Sequence, residues 1–489
     1  MNIPFVVIIQ ADSDTITYPE CPPYSPSVPY PEYPFGHLAK NHNLIYAMVR
    51  DLFYALGLDA QNFGTPKWNP LGDLIQPGET VLVKPNMVLH SHKAGEDIYS
   101  VITHGSVIRA VLDYVIIALN GTGRVVVGDS PLQSANFDQI MDLNGLRVIQ
   151  RFYREQRIKV DVVDFRLEHA IVDDSFYIIR KDKSSGDPLG YYVVDLGADS
   201  LLTPLRGRYR LYRVTNYEPY AMIKHHNEER NQYLIPASVL EADVVINMSK
   251  LKTHRKGGVT ASLKNLVGIS GQKDWLPHHR RGSIPEGGDE YLYRNAFKKL
   301  ASDIVEIEDV QTNLAIKKFF RVLRLVATVI AKLIEKDSYT EGSWYGNDTL
   351  WRTILDLNRI LFYADKSGSM QATVQRRYLS IVDAITAGEG EGPLEPTAKT
   401  IGAILGGFNP VAVDAVAARL MGFDYRKIPC IREGFSRFSY PLAIFSPDEI
   451  RVRSNDPRWD GLVLHNGKGG SWEFTPPKGW KGHIELEWV

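Results

Sequence analysis

Apolar positions along this chain follow two rhythms. Val81–Val83, Val125–Val127, Val160–Val163 and Val244–Ile246 are short, β-branched and continuous. Such runs predict strands buried on both faces of a parallel sheet. Between the first two, Ser106–Leu119 carries apolar residues at helical spacing, with Ser106 as the candidate N-cap and Gly121–Gly123 closing the segment. Strand, helix and strand in that order form the βαβ pattern. Further helices are predicted around Asn43–Ala55, around Phe137–Arg157 and at Pro410–Met421, which begins with proline. Tyr378–Ile385 and Thr400–Leu405 are predicted strands. Residues 176–215 alternate tyrosine and valine with turn residues, which predicts antiparallel strands.

Three stretches depart from these rhythms. The segment 18–36 is proline-rich and predicts an extended arm wrapping a surface. Residues 294–365 are helical in pattern apart from a Gly/Ser break at 342–346. Within them lies the longest apolar run, Phe319–Ile334, interrupted by Arg321, Arg324 and Lys332. It falls short of the ~20 residues a membrane span needs. An amphipathic core helix is the expectation, and a membrane-surface or partner-binding helix the alternative. The tail from 452, rich in Trp, Gly and Pro, predicts irregular β structure.

The fold expected is therefore α/β, with a mainly parallel sheet core in two lobes, a helical insertion and an irregular β C-terminal tail. The divisions are 1–75 (strand, Pro-rich arm and helix), 76–293 (α/β core), 294–370 (helical insertion), 371–450 (the remainder of the core) and 451–489 (tail).

Composition narrows the function classes. The formal net charge is -1 and charged residues make up 23%, which argues against general nucleic-acid binding. Two cysteines, Cys21 and Cys430, are too few for a disulfide framework or a cysteine-ligated iron–sulfur cluster. The segment MNIPFVVIIQADSD lacks a basic n-region and predicts a first strand, not a signal peptide. A cytoplasmic protein without a transmembrane segment is the expectation.

Candidate chemistry gathers where predicted strands end. After Val244–Ile246 and Asn247, the residues Lys250, Lys252, His254, Arg255 and Lys256 lead into Gly257-Gly258 and a helix-like segment with Lys264 and Asn265. A buried strand delivering cations to a glycine turn is how α/β proteins build anion sites. A solvated basic loop has the same composition, but this charge run directly follows a core strand. Lys84-Pro85-Asn86 ends another strand, and a lysine merely capping a sheet end is the competing reading. Thr103 and His104 precede a helix start suited to an anion. Asp129 ends a strand, where it can hold a metal, take a proton or simply form a turn.

Two histidine doublets, His225-His226 and His278-His279, lack the spacing of a zinc motif, although histidine is a frequent metal ligand. In Gly388–Pro393, Glu389 and Glu391 alternate with glycines after the strand containing Asp383. With Asp414 these carboxylates suit a hard divalent cation such as Mg²⁺, and a flexible acidic turn is the plain alternative.

Taken together, VLVKPNMV at 81–88, the Thr-His pair at 103–104, VVVGDSP at 125–131 and ADVVINMSKLKTH at 242–254 resemble one microbial family, domain of unknown function family 362. SLKNLVGI at 262–269, IVDAITAGEGEGP at 381–393 and GGFNPVAVDAVAARLMG at 406–422 continue the resemblance in order. Many relatives carry a ferredoxin-like cysteine cluster, which this chain lacks, so an electron-transfer role does not carry over. The strand–Lys–Pro–Asn and Lys–Leu–Lys–Thr–His layout is also similar, at the level of fold, to nickel-dependent lactate racemases.

The residues point to an enzyme binding a small anionic metabolite, phosphorylated or carboxylated. His254, Asp129 and Lys252 are the candidate catalytic groups. Lys84, Asn86, Thr103, His104, Asn247, Lys250, Lys264 and Asn265 are the candidate substrate contacts. Asp383, Glu389, Glu391 and Asp414 are the candidate ligands for Mg or another divalent cation. A scaffold docking a protein partner through the helical insertion is the alternative, and a lactate-racemase-like isomerase a further one.

Overall fold

The structure is a computed structural model describing residues 4–172, 178–214, 219–310, 313–334, 337–465 and 470–487. The elements that position the site are strands β1 (Phe5–Gln10), β2 (Thr80–Pro85), β3 (Arg124–Asp129), β4 (Val160–Asp164), β5 (Val244–His254), β6 (Gly258–Thr260), β7 (Arg377–Glu391), β8 (Glu395–Gly407) and β9 (Arg451–Ser454). The helices are α1 (Leu44–Ala55), α2 (Gly105–Leu119), α3 (Ser262–Asn265), α4 (Ala296–Val310), α5 (Leu314–Ile334), α6 (Leu350–Tyr363) and α7 (Pro410–Met421). Among the described residues these nine strands form one sheet in the order β9-β1-β8-β7-β5-β2-β3-β4, with β6 pairing β5. The run β7-β5-β2-β3-β4 is parallel throughout.

Alternation along the strands sorts side chains into two cores. Val81, Val83, Val125, Val127, Val244 and Ile246 face α1 and α2. Leu82, Val126, Val245, Val382 and Leu405 face α6 and α7. Helices on both faces explain why these strands read as unbroken apolar runs. Parallel pairing also puts the carboxyl ends of β2, β3, β5 and β7 along one edge, where open α/β sheets bind ligands.

Several boundaries differ from the sequence-based expectation. The strand expected to stop at Asn247 continues to His254, and all eleven residues are buried. Its basic segment is therefore not a loop. Past the end of β2, it is held by β7 and by the β6 hairpin strand. Gly388–Pro393 is not a flexible acidic turn either, because β7 extends through Glu391 and pairs with β8. The N-cap of α2 is His104, whose side chain accepts from Ser106 N, so Ser106 lies inside the helix. Gly145, in a left-handed conformation, splits the helix expected at Phe137–Arg157 into Phe137–Leu143 and Leu146–Glu155.

Residues expected as antiparallel strands do pair that way, in small sheets at 168–172/178–183 and 191–195/232–236. Helix α5 is not a core helix. Phe319, Val322, Leu325, Val329 and Leu333 are exposed. Among the described residues, no helix is long and apolar enough to cross a membrane.

Candidate functional site

The carboxyl edge of the sheet opens into a cavity of about 100 Å³. That is well above the roughly 10–15 Å³ one water occupies on the same measure, so a small ligand group fits. Each wall traces to an element. Asn86 follows β2, Asp129 ends β3, Lys252 and His254 end β5, and Thr260 ends β6. Lys264 and Asn265 come from α3, and Lys273 and His278 from the segment behind it.

The floor is a buried ion pair. Lys84 Nζ donates to Asp129 Oδ1 at 2.7 Å and to Asn265 Oδ1 at 3.3 Å. Asp129 also accepts from Ser130 N at 2.8 Å and Met87 N at 2.7 Å. Its oxygens are thus occupied, which makes Asp129 a fixed counter-charge and not a free proton acceptor. Lys84 does not line the cavity but sits directly beneath it. Asn247 lies deeper, accepting from Asn265 Nδ2 at 2.7 Å and donating to Ser262 O and the Tyr378 hydroxyl. Gly268 arches over the pair. A Cβ there would meet Asp129 Oδ1 at 2.0 Å and Lys84 Nζ at 2.6 Å, so only glycine permits this approach.

Above the floor, cations outnumber carboxylates. Lys252 Nζ donates to Val101 O and Lys273 Nζ to Val267 O, leaving each ammonium with unused N–H groups. Lys264 has no hydrogen-bond or ion-pair partner among the described residues. Burial, then the neighbouring Lys264 and Lys250 charges, hold Lys252 well below the usual lysine range. Burial brings Lys264 down to about 8 and Lys273 down to about 7. The hydroxyls of Ser130 and Thr260, both lining the cavity, are buried without partners. Buried donors without acceptors are costly unless a ligand satisfies them.

Two histidines complete the walls in opposite states. His254 Nδ1 accepts from the backbone N–H of Lys256 and of Gly257, both at 3.1 Å. Nδ1 therefore carries no proton, and Nε2 carries it. His278 Nδ1 pairs with the Leu276 carbonyl at 2.7 Å, so Nδ1 is the donor and the neutral ring leaves its lone pair on Nε2. Burial, then the nearby Lys264 charge, hold both rings well below the usual histidine range. At neutral pH one ring offers a hydrogen-bond donor and the other a proton acceptor.

The remaining candidates lie elsewhere. Lys250, fully buried, pairs with Asp383 at 2.7 Å and donates to the Tyr18 hydroxyl at 2.8 Å and Thr386 O at 3.1 Å. Tyr18 comes from the Pro-rich arm, donates to Asp383 Oδ1 at 2.6 Å and stacks on His104 at 4.1 Å. The backbone N–H of His104 donates to Asp383 Oδ2. Thr103 Oγ1 accepts from Asn86 N and donates to Met248 O. These groups form a satisfied, closed cluster away from the cavity. A register shift in the β5–β7 pairing between Lys250 and Lys252 separates the two lysines.

The four candidate metal ligands are likewise dispersed. Asp383 serves Lys250, Glu389 pairs with Lys399 and accepts from Thr475 N, and Glu391 accepts from Lys478 N. Asp414 on α7 accepts from Ser262 N and Leu263 N, fixing the first turn of α3, and burial pushes it up to about 7. Among the described residues, no three His, Cys, Asp or Glu side chains group as metal ligands. Of the histidine doublets, His225 stacks on Trp275 at 3.3 Å and buried His226 pairs with Trp275 O.

Sequence reasoning weighed His278 only as part of a histidine doublet for a metal, and passed over Lys273, Ser130, Thr260 and Gly268. The only available signal was that SLKNLVGISGQKDWLPHH runs on directly from the basic strand and its glycine turn.

The depressed lysines give a pH dependence with a definite sign. Folded Lys273 and Lys264 titrate at about 7 and about 8, against 10.5 for an ordinary lysine. Between these values the unfolded chain holds more protons, so stability rises with pH. Urea midpoints of the ligand-free protein are expected to increase from pH 7 to pH 9.5. The increase is expected to shrink in Lys264→Met/Lys273→Met. An equal rise in that variant would assign the effect to other groups.

Comparisons with known proteins follow the same segments. The model of a family described as "Domain of unknown function (DUF362)" matches residues 81–175 and 200–419, more than half of the chain. No curated protein matches it. Among solved structures, it is similar to a structural-genomics protein from Thermotoga maritima, with a TM-score of 0.29 and 12% identity over 72% of this chain and 54% of that one. It is also similar to the lactate racemase apoprotein from Thermoanaerobacterium thermosaccharolyticum, with a TM-score of 0.28 and 11% identity over 74% of this chain and 52% of that one. The chain thus spans about half the length of these two solved proteins.

Proposed function

Starting from a chain that belongs to the DUF362 family, we propose an enzyme that binds a small carboxylate- or phosphate-bearing metabolite at the β-strand edge and moves a proton on it. One observation carries this reading. Lys84, Lys252, Lys264 and Lys273 gather in and under one cavity around a single carboxylate, Asp129. Buried charge without counter-charge is unfavourable, and an anionic ligand supplies what is missing.

The two histidines give the bound anion a chemistry. His278 Nε2 accepts a proton from the substrate. His254 Nε2–H donates a hydrogen bond to an oxygen where negative charge develops, as a neutral imidazole can. The lysines hold the anionic group and stabilise that charge. Lys264, without a hydrogen-bond or ion-pair partner among the described residues, is the principal contact. The steps require no metal-ligand set built from Asp383, Glu389, Glu391 and Asp414.

The reading is tested by melting the protein with inorganic phosphate and with a panel of small carboxylic and phosphorylated acids. A subset is expected to raise the melting temperature. Lys264→Ala is expected to weaken that ligand about ten- to a hundredfold, the worth of one charge-assisted hydrogen bond. Its ligand-free stability is expected to be unchanged or higher, because it removes a cation from a cationic cavity. Loss of stability without any change in ligand affinity would make Lys264 structural and sink the proposal.

A further inference from the structure

Helix α5 is the least explained part of the molecule. Among its described residues, Ala327 and Ala331 are buried, and the helix packs against α4, where Arg324 pairs with Glu308 at 3.0 Å. Another part of its surface is apolar and exposed. Phe319 is 60% exposed, Val322 59%, Leu325 55%, Val329 57% and Leu333 80%. Stepping three or four residues at a time, these side chains share one face. From Phe319 to Leu333 that face runs about 21 Å along the helix axis. Soluble surfaces rarely carry an apolar stripe of that kind without a partner.

Charge identifies the partner. The 21 residues Leu314–Ile334 contain no Asp or Glu, but do contain Lys317, Lys318, Arg321, Arg324 and Lys332. Lys318 and Lys332 are exposed, Lys318 at the amino-terminal end of the apolar face and Lys332 along its edge. Three acidic side chains of α4 are already engaged: Glu306 pairs with Arg213 and Arg281, Asp303 with Lys299 and Arg281, and Glu308 with Arg324. A second copy of the helix would set like charges against each other without a carboxylate between them. An anionic lipid surface answers both properties. Its acyl region takes the apolar face and its headgroups take the basic flank.

We propose that α5 is a membrane-surface helix, lying in the headgroup layer of an anionic bilayer and attaching the protein peripherally. This is independent of the cavity and of the chemistry assigned there.

The test is flotation of the full chain with vesicles of phosphatidylcholine alone and of phosphatidylcholine containing phosphatidylserine. Retention is expected on the anionic vesicles, and is expected to weaken as salt rises. Val322→Asp/Val329→Asp is expected to abolish retention without lowering the melting temperature, since both side chains are solvent-exposed. Lys318→Gln/Lys332→Gln is expected to weaken it roughly twenty-five-fold, about fivefold per lysine. The proposal is overturned by equal retention on neutral vesicles, by no retention on either, or by retention that survives Val322→Asp/Val329→Asp. It is also overturned if lipid-free sedimentation reveals a dimer that the same substitutions dissociate, which would make a second copy the occupant.

Discussion

His278→Asn is expected to lower turnover of the cognate acid by about 10²–10⁴, the usual contribution of a positioned proton acceptor. Asparagine is the informative replacement. Its side-chain amide can still donate to the Leu276 carbonyl, which His278 Nδ1 contacts at 2.7 Å. What disappears is the Nε2 lone pair of a ring that lines the cavity. Affinity for the anion is expected to stay within a few-fold of the parent, because Lys264 and Lys252 remain. The companion variant His254→Asn keeps an acceptor for the N–H groups of Lys256 and Gly257 but loses Nε2–H. It is expected to lose about 10²–10³ in kcat, typical of one donor to a developing oxyanion. The measurement is solvent deuterium incorporation into whichever acid raises the melting temperature, followed by proton NMR. Loss of affinity with unchanged kcat in His278→Asn would make the ring a binding group and remove it from the proton transfer. Because His278 is held well below the usual histidine range, its base form persists at pH 6. Turnover is therefore not expected to fall between pH 8 and pH 6 through this ring.

Asp129→Ala is expected to destabilise the protein by about 3–5 kcal/mol, the cost of leaving one partner of a buried ion pair without its counter-charge. Three donors lose a bond at once: Met87 N loses its acceptor, Ser130 N keeps only the Gly268 carbonyl, and Lys84 Nζ keeps Pro85 O and Asn265 Oδ1 but loses its counter-charge. Lys84 is fully buried and cannot turn to water. Lys84→Met/Asp129→Leu is expected to recover much of the loss, since a well-packed apolar pair often replaces a buried ion pair at little cost. Urea denaturation of the two variants decides the matter. A loss under about 1 kcal/mol in Asp129→Ala would mean that the floor of the cavity is not held by this pair.

The two outcomes separate different parts of the site. His278 and Lys264 act on a ligand and leave the fold alone. Asp129 and Lys84 hold the edge of the sheet on which the others stand. Any activity lost in Asp129→Ala therefore reports on structure, whereas loss in His278→Asn at unchanged stability reports on chemistry.

Much of the frame was legible in the residues. Continuous runs such as Val81–Val83 and Val244–Ile246 could only be strands covered on both faces, and the sheet places them so. Lys84, Asp129 and Lys252 could be placed near one another because parallel strands end on one side. Less could be read where register and capping intervene. Lys250 and Lys252 are two residues apart in sequence, yet one is sealed by Tyr18 and Asp383 and the other lines the cavity. Asp414 looked like a metal ligand because its partners, the N–H groups of Ser262 and Leu263, lie 152 and 151 residues away.

The sequence by itself determined the sheet, its βαβ order and the sign of charge at its edge, because periodicity and residue type are local properties. Tertiary structure alone decided which cations face a cavity, because that depends on the shift in β5–β7 register and on the Pro-rich arm reaching Lys250. It alone set the opposite states of His254 and His278, because each ring's proton follows the backbone groups that its Nδ1 meets. It alone left α5 uncovered, because a helix pattern records that an apolar face exists and not whether anything lies against it.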